Sequence, residues 1–305
     1  MTQSIIEKIN NLKKEKNAVI LAHNYQSAEI QDIADFTGDS LELSRKAAST
    51  SADVIVFCGV LFMAETASIL SPNKTVLLPD KTAGCPMADM ITAEQLAELK
   101  EKYPGAIVVC YVNSSADVKA VSDYCCTSSN AVNVVNSIDA KKKIIFVPDK
   151  NLGEFVQQKT GRDMVLWPGY CPTHVFATAE DVKKIQAAHQ AAVTLAHPEC
   201  PRDVRDCADE LLSTGQMLKF VKSSDKKEFI IATEIGILYT LQKQNPEKTF
   251  YPASAKFVCP NMKKITVEKV LFALEDNEYV IKVPYDVAEK AEKALDRMVA
   301  VLPKG

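Results

Sequence analysis

The 305-residue chain contains no cysteines spaced C-x-x-C and no C-x-x-x-C-x-x-C run. This leaves out a thioredoxin-like redox motif and the cysteine triplet of adenosylmethionine radical chemistry. None of its 10 glycines falls into a G-x-G-x-x-G dinucleotide fingerprint. Basic residues do not exceed acidic ones (36 Lys and Arg against 39 Asp and Glu, net charge −3), so the chain carries no electrostatic footprint for nucleic acid. No apolar run approaches the roughly 18 residues of a membrane span. The opening MTQSIIEKINNLKKEK reads as an amphipathic helix and not as a signal peptide. The expectation is a cytoplasmic protein with no nucleic-acid or membrane partner, whose nine cysteines are reduced thiols or metal ligands.

What is present is a period. Cys-Pro dipeptides at Cys85, Cys171 and Cys259 lie 86 and 88 residues apart, and four other features recur at a similar interval in the same order. Capping-box signals stand at Ser4 with Glu7, Thr92 with Gln95 and Thr178 with Asp181; Thr266 starts a fourth, where Lys269 replaces the acid. Apolar strands end in polar pairs: His23 and Tyr25, Tyr111 and Asn113, His197 and Glu199. Small polar clusters follow at Ser40, Ser128 and Ser213, and closing strands end at Pro79, Pro168 and Pro252. Cys200-Pro201 breaks the period, but chance does not readily give five feature types in one order.

Each unit alternates strand and helix, which predicts an α/β fold of three pseudo-threefold-related three-layer αβα domains around a central site. The expected boundaries are 1–88, 89–174 and 175–263, with 264–305 a partial repeat packing back on the body. Expected strands are 17–23, 53–58 and 75–79; 106–112, 143–148 and 163–167; and 192–197, 228–233 and 248–251. The tail predicts a helix, a strand YVIKV and a final amphipathic helix. Ligands in such sheets bind beyond the carboxyl ends of the strands, where His23, Tyr25, Tyr111, Asn113, His197 and Glu199 fall.

Three thiolates meeting on an axis suit a closed zinc site poorly, because structural zinc takes four ligands. They suit an iron–sulfur cluster with one open iron, a Lewis acid able to ease loss of water. The blander reading is that Cys-Pro only terminates strands. Serines at helix starts offer hydroxyls and unpaired amides to an anion, although capping alone accounts for any single one. His23 and His197, beside a phenol and a carboxylate, can carry proton transfers. His174 reads equally as a group behind a ligand or as an exposed turn residue, and His189 as surface. Cys58, Cys110 and Cys207 read as packing residues, and adjacent Cys125 and Cys126 diverge too much to share a metal.

Through LAHNYQ (21–26), QDIADFTGDS (31–40), VFCGVLFMAET (56–66), LPDKTAGCPMADM (78–90), YVNSSADVKA (111–120), TSSNA (127–131), PDKNLG (148–153), HPEC (197–200) and TEIG (233–236), the chain closely resembles the quinolinate synthase family of de novo NAD synthesis. The resemblance implies a [4Fe-4S] cluster on Cys85, Cys171 and Cys259. It implies condensation of iminoaspartate with dihydroxyacetone phosphate, losing phosphate and two waters, with transient contact to the aspartate-oxidising enzyme that supplies the imine. Tyr25 and Glu199 match the family's proton-transfer residues, with His23 and His197 close by. Ser40, Tyr111, Asn113, Ser128, Ser213 and Thr214 match its carboxylate- and phosphate-binding positions. Where some members carry a C-x-x-C at the third ligand, Cys259 is followed by Pro260, Asn261 and Met262, so no thiol switch is expected there. Competing classes are other three-cysteine cluster enzymes of diphthamide-synthesis or isoprenoid-reductase type, a non-enzymatic cluster sensor and a zinc-binding structural protein.

Overall fold

The computed structural model describes residues 2–301. Its framework is three separate four-stranded parallel sheets. The first holds β1 (Ala18–His23), β2 (Phe36–Gly38), β3 (Val54–Cys58) and β4 (Thr75–Leu77), in the order β2-β1-β3-β4. The second holds β5 (Ile107–Tyr111), β6 (Tyr124–Cys126), β7 (Ile144–Val147) and β8 (Met164–Leu166), and the third β9 (Val193–Ala196), β10 (Glu210–Leu211), β11 (Glu228–Ala232) and β12 (Thr249–Pro252). Both repeat the same order, β6-β5-β7-β8 and β10-β9-β11-β12. The fold is the expected α/β arrangement of three αβα units. Near-continuous runs of Val, Ile, Leu and Phe form the middle strands because helices cover both faces.

The expected three strands per unit are corrected to four. The additional edge strands β2, β6 and β10 carry the short sequences FTG, YCC and EL, which hold too few apolar residues to show a period. Cys125 and Cys126 therefore lie in a short edge strand and are fully buried. Ser4 does not start the first helix, which runs Thr2–Glu15 and takes Ser4 inside it. The boxes at Thr92 and Thr178 are formed, and Thr266 caps its helix without a reciprocal partner.

The predicted YVIKV strand is reduced to one antiparallel bridge between Val280 and Leu77. Tyr279 exchanges backbone hydrogen bonds with Leu78, and Ile281 donates its amide to the Val76 carbonyl, so this segment covers the open edge at β4.

One apolar cluster runs through the first two units and takes in Ala291, Ala294, Leu295 and Met298 of the final helix, Tyr285–Ala300. Asn130 donates to the Met298 carbonyl at 2.9 Å, and Arg45 to the Val299 carbonyl at 2.8 Å, fastening that helix to both units. The two faces of the third sheet carry apolar clusters of their own.

Gly169 brings the Cys171 loop down beside β7. Lys150 donates its amide to the Gly169 carbonyl at 2.9 Å, and a Cβ at Gly169 would lie 2.5 Å from the backbone oxygen of Pro148. Backbone cannot swing aside as a side chain can. Gly169→Ala is expected to destabilise the protein by about 1–3 kcal/mol, read as a thermal midpoint several degrees lower. An unchanged midpoint would show that the loop accommodates the methyl.

Candidate active site

The carboxyl ends of the middle strands from all three sheets open onto one cavity, with about 940 Å³ of unfilled space including its mouth. The repeat places three residues on its wall as equivalents at strand ends, His23, Tyr111 and His197, and two positions further on, Tyr25, Asn113 and Glu199. His23 accepts the Tyr25 amide at Nδ1 (3.2 Å), and His197 accepts the Glu199 amide at Nδ1 (3.3 Å). An accepting Nδ1 fixes the tautomer: each ring carries its proton on Nε2. That of His197 meets Ser128 Oγ at 3.2 Å.

Glu199 is the centre of the arrangement and is 3% exposed. His174 Nδ1 lies 2.8 Å from one carboxylate oxygen, Asn113 Nδ2 lies 3.5 Å from the other, and the Tyr111 hydroxyl donates to the same group. Burial works to raise its pKa, but the adjacent His174 ring and the hydrogen bonds from His174 and Tyr111 outweigh it and hold the carboxyl below its ordinary range. The phenols respond in the opposite sense. Burial first, then the Glu199 charge, raises Tyr25 and Tyr111 well above the usual phenol value, so both remain proton donors.

His174 and Thr233 were not singled out as site residues by sequence reasoning. His174 is 1% exposed, so the exposed-turn alternative is set aside. Its Nδ1 also lies 3.1 Å from Cys171 Sγ, and its Nε2 lies 2.8 Å from Thr233 Oγ1. Thr233 Oγ1 lies 2.6 Å from the Tyr25 hydroxyl. Glu199, His174, Thr233 and Tyr25 thus form one hydrogen-bonded chain. Its sequence signal was the three-residue spacing of Cys171 and His174, which one helical turn, Pro172–Val175, brings together.

Cys85, Cys171 and Cys259 line the same cavity, one from each unit, and all three are free thiols. Each heads a Cys-Pro turn. Proline has no N–H to lose at the first helical position, and the amides that follow point back at sulfur: Met87 and Ala88 to Cys85, His174 to Cys171, Asn261 and Met262 to Cys259. Without a metal, burial pushes the Cys85 thiol up to about 12 and raises Cys171 and Cys259 as well. Cys171 Sγ, His174 Nδ1 and a Glu199 oxygen also lie within 4.8 Å of one another, a donor set able to hold a metal ion.

Ser40, Ser128 and Thr214 line the cavity, whereas Ser213 is not among its lining residues. Strand register explains why. His23 pairs with Gly38, Tyr111 with Cys126 and Ala196 with Leu211, which makes Ser40, Ser128 and Thr214 the equivalents, 88 and 86 residues apart. Ser213 is the N-cap of the helix Thr214–Ser223 and is fully buried, with Oγ 2.9 Å from Ser129 Oγ. His189 caps the end of its helix and stacks on Tyr251 at 3.6 Å, remote from the cavity.

The titration of this site gives an expected pH dependence. Burial lowers His23 and His197 to about 3. The unfolded chain takes up protons on both rings near 6.5 while the folded one does not, so stability is lost as pH falls from about 6.5 towards 3. Glu199 adds to the loss only below the ordinary carboxylate value. His23→Gln/His197→Gln should therefore flatten the fall of the thermal midpoint between about pH 6.5 and 4.5, and an equally steep fall would show that these rings are not the acid-sensitive groups.

Comparison with known proteins agrees with this geometry. Residues 7–300 match the family model described as "Quinolinate synthetase A protein". A relative called quinolinate synthase in Dehalococcoides mccartyi (strain CBDB1) is 54% identical over 98% of this chain and 98% of its own. One in Thermodesulfovibrio yellowstonii is 51% identical over 99% and 100%, and one in Geobacter metallireducens 55% identical over 98% and 98%. A solved E-1-hydroxy-2-methyl-but-2-enyl-4-diphosphate reductase from Plasmodium falciparum aligns with 91% of this chain and 95% of its own at 14% identity and a TM-score of 0.32, too weak a likeness to weigh. With half its residues identical to quinolinate synthases from end to end, the chain belongs to the quinolinate synthetase A protein family and is an enzyme of quinolinate formation in de novo NAD biosynthesis.

Proposed function

We propose that the chain condenses iminoaspartate with dihydroxyacetone phosphate in the cytoplasm, releasing quinolinate, phosphate and two waters, with a [4Fe-4S] cluster on Cys85, Cys171 and Cys259. The observation that carries this reading is the convergence of one cysteine per unit on a cavity that also holds Glu199 and the three hydroxyls. The donor set fits the group. Three thiols are one short of a closed zinc site, and amides directed at the sulfurs are what a cluster's charge calls for. Bound there, the cluster would supply a Lewis-acidic iron open to a substrate oxygen. Among the described residues no helix is long and apolar enough to cross a membrane. Unit boundaries near 88/89, 174/175 and 263/264, and receipt of the imine from an aspartate-oxidising partner, belong to the same proposal.

The chain's own residues supply binding and proton transfer. Ser40, Ser128 and Thr214, with the Nε2–H groups of His23 and His197, offer donors to substrate carboxylates and phosphate. Glu199, ionised at neutral pH, is the base, and Tyr25 and Tyr111 are protonated donors. The link through His174 and Thr233 gives a proton taken at Glu199 a path to Tyr25. Met63, Phe176 and Val258 contribute apolar wall that limits water. The reaction is redox-neutral, because the atoms of the two substrates equal those of quinolinate, phosphate and two waters.

Cys85→Ser, Cys171→Ser and Cys259→Ser should each lose bound iron, sulfide and cluster absorbance after anaerobic purification. Glu199→Gln and Tyr25→Phe should keep that absorbance while quinolinate formation falls by about 10²–10⁴-fold. Unchanged turnover in these two would refute their roles, and a requirement for a reductant or adenosylmethionine would move the chain to one of the competing cluster enzymes.

A further inference from the structure

The third unit carries an ion pair between a buried carboxylate and a partly exposed lysine, which touches no lining hydroxyl and takes no part in the proton path above. Glu234 is fully buried, and Lys263 Nζ lies 2.9 Å from its Oε1. The same Oε1 accepts the backbone amide of Cys259 at 3.1 Å, and Oε2 accepts that of Gly236 at 2.7 Å. Lys263 also donates to the backbone carbonyl of Tyr25, in the first unit. On the same peptide, a Cβ at Gly236 would sit 2.7 Å from the Tyr25 carbonyl carbon and oxygen, so only glycine allows the approach. We propose that Glu234 and Lys263 are positioning residues that set the placement of Tyr25 relative to Cys259, across the junction of the first and third units. The inference rests on the reading of Tyr25 as a proton-transfer group and Cys259 as a cluster ligand.

Two observations favour this role over general scaffolding. The first is that the repeat does not require the pair. Strand register makes Val60 and Asp149 the equivalents of Glu234, because Cys58, Val147 and Ala232 occupy the same place on β3, β7 and β11. Val60 carries no charge, and Asp149 Oδ1 caps the next helix through the Leu152 amide with no lysine on it. Only the third copy reaches a neighbouring unit through a cation. The second is the make-up of the core: the cluster shared by the first two units and the final helix buries only Met262 of the third unit, with Leu211 and Cys259 packed against it, whereas the two faces of the third sheet have clusters of their own. Polar contacts therefore do much of the registering of the third unit, and they supply direction where apolar packing would not. An ion pair that takes a carboxylate fully out of water, as Glu234 is, is often no more stabilising than a neutral pair of similar volume, so its presence here points to placement and not to stability.

That distinction sets the test. Lys263→Met alone leaves Glu234 buried without its cation and confounds placement with folding, so the informative protein is the neutral double variant Glu234→Gln/Lys263→Met. Its thermal midpoint is expected within a few degrees of the parent, while kcat falls by about tenfold or more with KM within about twofold, as for a misplaced reacting group. In cluster-free full-length protein, alkylation of Cys259 by iodoacetamide should quicken about fivefold, as a loop released from its constraint opens more often, with Cys85 as an internal control that does not change. A double variant with parental kcat and parental Cys259 alkylation overturns the proposal. So does a matching rise at Cys85, which would signal general loosening. If the parent protein makes no quinolinate, the functional reading fails, and the alkylation comparison still decides whether the pair holds the Cys259 loop.

Discussion

A carboxylate with almost no access to water stands where the three units meet, and the cavity is organised around keeping it charged. Taking an ion out of water costs several kcal/mol unless hydrogen bonds and opposite charge replace the solvent. Here the replacements come mainly from the second unit, from His174, Tyr111 and Asn113, while Glu199 itself belongs to the third. Burial first, and then the same charge, keep the nearby phenols protonated. The site is therefore a shared electrostatic arrangement that no single unit could assemble alone.

Much of this was legible in the sequence because the repeat carries chemistry as well as apolar pattern. The Cys-Pro dipeptides, the caps at Thr92 and Thr178 and the polar ends of the apolar strands all recur, and recurrence made them visible. Less visible features had physical reasons for being so. The edge strands FTG, YCC and EL are two or three residues long and form only beside a completed neighbour, so tertiary pairing and not propensity makes them. YVIKV has strand propensity but lies at the rim, where one bridge is all the sheet edge gives it.

Ser213 and Thr214 illustrate how fine the limit is. Both can cap a helix and both can bind an anion, and the sequence offers them side by side. The parallel register decides which one faces the cavity, and a shift of one residue sends the neighbour into the protein. His174 was obscure for a different reason. Its partners are 25 residues away at Glu199 and 59 away at Thr233, and nothing local announces them.

The Cys-Pro turns have a consequence for how the pocket is filled. Proline holds its own backbone torsion near the helical value, so the turn after each sulfur is set by covalent geometry before any inorganic guest arrives. Three such turns, fixed by parallel sheets on different sides, form a mould and not three loose arms. If the proposed cluster binds here, little chain entropy is left for its entry to remove, and its loss would not require the host to refold.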